Sequence, residues 1–110
     1  MVKKIKNNDF SKVEASKIAI VNFSVTGNES CQIMEQIINE TADEYAGKVD
    51  FYRANIAINQ ESPKKYDVEN IPAVTMFING EKIATRTGFQ PKEIIEAWID
   101  IKKLNSFVKY

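Results

Sequence analysis

The residues that could do chemistry are few and lie close together. The stretch TGNESCQIM, Thr26 to Met34, holds Cys31, the single cysteine among 110 residues. Cys31 follows Asn28 by three positions, where an apolar pattern of helical spacing begins. The positive end of a helix dipole favours a thiolate, so a cysteine at a helix mouth is a candidate for redox or nucleophilic work. Glu29 in the same turn opposes this with negative charge, and no Lys, Arg or His adjoins Cys31 in sequence. Thiol–disulfide exchange needs one thiolate to attack and a second thiol to release the product. One sulfur therefore cannot close and reopen a disulfide within this chain. Histidine, the commonest general base and metal ligand, is absent. Ser–His and Cys–His catalysis and ordinary zinc sites are excluded within one chain. Glu40, Asp43 and Glu44 fall on the polar side of the long helical pattern, without the paired spacing of a metal site. No metal and no cofactor are expected.

The composition sets the frame around this stretch. A chain of 110 residues with ordinary apolar and charged content is expected to form one domain, residues 1–110, with a core that needs no staples. Fifteen basic residues balance fifteen acidic ones, which argues against a nucleic-acid partner, since phosphate binding requires clustered cations. The opening MVKKIKNND is basic but is followed by no apolar run, so it does not read as a signal peptide. No segment approaches the roughly 20 apolar residues of a membrane span. A lone cysteine rules out a disulfide framework and suits a reducing, cytoplasmic location.

The elements that must position Cys31 are legible from periodicity. A short strand is predicted around Lys3 to Lys6, then a short helix over Phe10 to Ala15 capped by Asn8 or Asp9. IAIVNFSV, Ile18 to Val25, is a nearly unbroken apolar run rich in β-branched residues, the pattern of a strand buried on both faces. Met34, Ile37, Ile38, Thr41 and Tyr45 then recur at helical spacing. Asn28 suits the N-cap of that helix, which puts Cys31 at N3, and Gly47 suits its stop. Val49 to Asn55 reads as a second buried strand, Gln60 to Tyr66 as a short helix, and AVTMFI as a third core strand. Asn79-Gly80 is a hairpin turn, because both of its central residues accept positive φ. Pro91 is placed at N1 of a last helix, amphipathic through Ile94, Ile95, Trp98, Ile101 and Leu104. Lys64-Lys65 and Lys102-Lys103 read as solvated helix faces, and Phe107 to Tyr110 as an apolar end that covers an edge or frays. The order β-α-β-α-β-α-β-β-α indicates an α/β layer fold.

Over nearly its whole length the chain resembles the thioredoxin family. Four segments carry the resemblance in order: IVNFSV running into a loop and helix, ADEYAGKVDFYRANI, KYDVENIPAVTMFINGE and TRTGFQPKEIIEAWI. The resemblance implies a thioredoxin fold, a central mixed sheet of about five strands with helices on both faces. It also implies a cis proline at Pro72, after Ile71, beside the active-site helix. Against this background the departures matter. Where the family has Trp-Cys-Gly-Pro-Cys, this chain has Gly27-Asn28-Glu29-Ser30-Cys31. Asn28 matches the attacking cysteine and Cys31 the recessed, resolving one. Asn22 matches the buried aspartate of the proton relay, Ser24 the aromatic after that strand's phenylalanine, and Gln36 the helix proline. So many joint changes read as natural divergence from the dithiol reaction.

Three functions follow for comparison. The first is a binding module that holds an extended protein segment in the groove around Gly27, Asn28, Glu29, Ser30, Cys31, Ile71, Pro72 and Gly88, by strand addition to the Ile71 backbone. The second is a monothiol redox protein in which Cys31 forms mixed disulfides with glutathione or a protein thiol. The third is an inert Cys31 in a structural homo-oligomer, the alternative being a monomer or weak homodimer. Cys31 itself has two readings, a small apolar residue packed under the Pro72 loop and a reactive thiolate. Pro72 likewise reads either as a rigid strand start or as part of a partner-binding turn.

Overall fold

The computed structural model describes the backbone of residues 1–107 and the side chains of residues 1–102. Among the described residues nine elements follow in chain order: β1 (Val2–Ile5), α1 (Ser11–Ala15), β2 (Ile18–Ser24), α2 (Glu29–Glu44), β3 (Asp50–Asn55), α3 (Ser62–Lys65), β4 (Ala73–Ile78), β5 (Glu81–Thr87) and α4 (Lys92–Phe107). The sheet order is β1-β3-β2-β4-β5. β1, β3 and β2 run parallel, while β4 is antiparallel to β2 and β5 to β4. This mixed sheet with helices on both faces is the thioredoxin fold that the sequence implies.

β2 is central, and every one of its residues is buried. Its alternation splits the core into two layers. Ile18 and Ile20 pack with Met34, Ile38, Ile95, Trp98 and Ile99 beneath α2 and α4. Ala19, Val21 and Phe23 pack with Phe10, Val13, Tyr52 and Phe77 on the opposite face. Because successive strand residues point to opposite sides, Asn22 continues the α2 side of the sheet beyond Ile20.

The predicted elements shift by one or two residues at their ends, where local capping decides. α1 starts at Ser11 with Phe10 as its N-cap and no side-chain cap, so the capping expected of Asn8 or Asp9 is not found. Asp9 Oδ1 accepts the Ser11 N–H at 3.0 Å, and Asn8 is turned to Glu61 and Ser62 instead. Pro91 lies just before α4 rather than inside it, and its carbonyl accepts from the N–H groups of Ile94 and Ile95. The apolar face of α4 differs more. Ile95, Trp98 and Ile99 are buried, but Ile94 is 43% and Ile101 58% exposed. The helix meets the sheet along a 3–4 spacing that passes through Ile95 and Ile99, and this rotates Ile94 and Ile101 outward. Leu104 and the segment Phe107 to Tyr110 lie outside the described side chains.

Asn79 and Gly80 both take positive φ, +51° and +84°, and close the β4–β5 hairpin. A Cβ at position 80 would sit 2.8 Å from the Glu14 carbonyl oxygen, so glycine there also serves close packing. Among the described residues no helix is long and apolar enough to cross a membrane.

Candidate functional site

The sheet register gathers the site residues at one end. Phe23 pairs with Ala73 and Ala73 with Thr87. The loop after β2 (Thr26 to Asn28), the turn before β4 (Ile71–Pro72) and the turn after β5 (Gly88) therefore lie at the same edge of the fold. Gly88 N–H donates to the Pro72 carbonyl at 2.7 Å, which ties two of these turns together. The Ile71–Pro72 peptide bond is cis. Pro72 is buried and Ile71 half-buried. Neither the N–H nor the C=O of Ile71 has a hydrogen-bond partner among the described residues.

The start of α2 is built as its sequence predicts. Asn28 is the N-cap, and its Oδ1 accepts the Cys31 N–H at 2.9 Å. Its carbonyl takes the first intrahelical bond, from Gln32. Glu29 and Ser30 are exposed, while Cys31 turns inward and is only 2% exposed. Its thiol is free of any disulfide. So enclosed a residue presents little surface to a thiol from solution. Gly27 and Gly88 have φ of +86° and +84°, and a Cβ built at either one meets nothing within 4 Å. Both glycines thus serve backbone turns and leave open space in front of the chain.

Asn22 stands in the middle of β2, 1% exposed, with Arg53 on one side and Val74 on the other. Its Oδ1 is buried without a hydrogen-bond partner among the described residues, an uncommon state for a native polar group. Arg53 is engaged elsewhere, donating through Nη1 to the Glu35 carboxylate.

Two features of this end were not read from sequence. Phe89, directly after Gly88, is 50% exposed. An aromatic inside a polar turn, between a glycine and Pro91, was the available signal. The second is a clasp made by two asparagines. Asn59, fully buried, donates to the carbonyls of Ile5 and Asn55 and accepts from Asn8 N–H. Asn8 in turn accepts from the N–H groups of Glu61 and Ser62. Contacts between loops some 50 residues apart leave no local periodicity to detect.

The strand order, with a helix N-terminus and a proline turn meeting at one sheet edge, defines a protein of the thioredoxin-fold class. Residues 1–101 match a family model described as Thioredoxin. The chain is 31% identical over 97 residues to a thioredoxin of Staphylococcus epidermidis, covering 88% of this chain and 93% of that relative. It is 30% identical over 97 residues to a thioredoxin of Staphylococcus aureus, with the same coverage. It is 33% identical over 88 residues to the chloroplastic M-type thioredoxin of Brassica napus, covering 80% of this chain and 50% of that longer relative. The chain belongs to the thioredoxin family.

Proposed function

We propose that this protein is a thioredoxin-family binding module. It holds an extended protein segment against the Ile71–Pro72 turn and does not turn over disulfides. The observation that carries the reading is the state of Cys31. The single thiol is 2% exposed, and the position one turn ahead of it is an asparagine occupied in capping the helix. Asparagine forms no thiolate, and a single sulfur supplies only one of the two roles that exchange requires. The unpaired N–H and C=O of Ile71 support the binding half of the reading, because an extended chain can add to such an edge by main-chain hydrogen bonds. Gly27 and Gly88 flank this edge without side chains, and Phe89 offers an exposed apolar surface beside it. Burial of the sulfur weighs against the monothiol reading, in which Cys31 would pair with glutathione. A reducing, cytoplasmic setting fits an unpaired thiol.

Reduction of insulin by dithiothreitol tests the chemical half. The reading expects no acceleration by the protein; clear turnover would sink it. The binding half is tested with peptides selected from a displayed random library against the folded chain and then titrated by NMR. Shifts should centre on Gly27, Ile71 and Gly88. Peptides that bind tightly while leaving those amides unmoved would refute the groove.

A further inference from the structure

The carboxyl ends of β1, β3 and β2 open onto a crevice of about 310 Å3, on the β1 side of the Thr26–Gly27 loop. Its size falls at the low end of small-molecule sites, roughly 300–1,000 Å3. In open α/β sheets the space beyond the carboxyl ends of parallel strands is where ligands bind. The crevice carries three cations, Lys4, Lys6 and Arg53, against one carboxylate, Glu35. Parallel register sets Lys4 beside Arg53 on the α2 side of the sheet. Glu35 accepts from one guanidinium nitrogen of Arg53, which holds the group against the wall and leaves its remaining donors for a ligand. Among the described residues, Lys4 and Lys6 have no ion-pair partner. On the rim, Asn55 Nδ2 donates to Thr26 Oγ1 at 3.3 Å, and Ile58 adds an apolar wall that is 59% exposed. The chain as a whole has no net charge, so this excess of cations is local.

We propose that this crevice binds a small dianionic ligand, a dicarboxylate or a phosphate-bearing molecule. One anionic group is held among Lys4, Lys6 and Arg53, and the apolar portion lies against Ile58. The site lies across the Thr26–Gly27 loop from the Ile71–Pro72 groove, shares only Gly27 with it and does not depend on it. Lysines on an edge strand also discourage pairing with other chains, and Lys3 separates the two roles. It lies on β1 too, but in register with Tyr52, on the opposite side of the sheet from Lys4.

The test is an NMR titration of the full chain at constant ionic strength, first with succinate and then with inorganic phosphate. Saturable shifts are expected at the Lys4, Thr26, Gly27 and Asn55 amides and the Arg53 side chain. A Lys4→Ala/Lys6→Ala double variant should bind about tenfold more weakly or worse, through loss of two close charges. A Lys3→Ala/Lys12→Ala double variant removes the same charge outside the crevice and should bind as the native chain does. Preserved amide dispersion shows that each variant is folded. Shifts that rise without saturating for both anions overturn the proposal. Equal weakening by the two double variants, which marks a diffuse basic surface, overturns it as well.

Discussion

The side-chain oxygen of Asn28 accepts the amide hydrogen of Cys31 at 2.9 Å. The residue that opens α2 and the only thiol of the chain are thus joined through the backbone, by a bond that holds the helix start in place. One of the orphan donors of that start is satisfied, and the sulfur is directed inward. The geometry fits a helix mouth kept for its shape.

Removing the cap should therefore cost stability. Asn28→Ala is expected to lower the unfolding free energy by about 1 kcal/mol, the usual worth of an N-cap side chain. Asn28→Asp should retain nearly all of it, because a carboxylate accepts the same bond and favours the positive helix end. Urea unfolding of the three proteins measures both. An aspartate variant as unstable as the alanine one would show that the Asn28 bond is not what holds this turn.

A second thiol at position 28 should supply disulfide chemistry. N-cap and N3 lie about one helical turn apart, within the roughly 4.4–6.8 Å that a disulfide spans between Cα atoms. Asn28→Cys should form a disulfide with Cys31 under mild oxidation and then reduce insulin faster than the native chain. Thiol counting before and after oxidation is the check. Two thiols that both stay free would mean that position 28 does not face Cys31.

What the sequence disclosed follows from how local each feature is. The buried run of β2, the Asn28 cap and the Asn79-Gly80 turn are written in neighbouring residues, and each stands where its pattern places it. The inward turn of Cys31 is a tertiary fact. Its position at N3 was readable, but its enclosure depends on how α2 sits over the sheet. The buried face of α4 is not legible in sequence because Ile94, Ile95, Ile99 and Ile101 are equally apolar, and only docking against Ile18, Ile20 and their neighbours selects Ile95 and Ile99. The crevice cations come from β1, β3 and the segment after β1, which are remote in sequence and meet only through the parallel register.

Asn22 offers a test of a buried polar group without a partner. Its Oδ1 lost its bonds to water on folding and gained none among the described residues. Asn22→Leu removes that cost with a side chain of the same branched outline and should leave stability unchanged or higher. Asn22→Asp should do the reverse in a pH-dependent way. Desolvation would raise the aspartate pKa in the folded state, so stability would fall as pH rises above the unfolded value of about 3.9. Thermal unfolding across acidic and neutral pH reads both variants. A leucine variant much less stable than the native chain would mean that Asn22 has an unrecognised donor.

At the other end of α2, Tyr45 reaches across to α4, where its hydroxyl bonds Asp100 Oδ1 at 2.6 Å and lies 3.2 Å from the Glu96 carbonyl. Burial and then Asp100 hold the phenol well above the usual tyrosine range, and the charges of Glu96 and Glu44 add to the effect. The folded chain therefore keeps this proton at a pH where the unfolded chain releases it. The resulting stability is whole below the unfolded value of about 10 and is lost as pH rises toward the folded one. Tyr45→Phe should be less stable at neutral pH by about 1 kcal/mol, the net worth of a hydrogen bond. Its alkaline decline should be shallower, because the group whose deprotonation drives part of that decline is gone. Urea midpoints measured from neutral to strongly alkaline pH separate the two effects. Parallel alkaline declines in the native and Tyr45→Phe proteins would show that the α2–α4 contact does not depend on the Tyr45 proton.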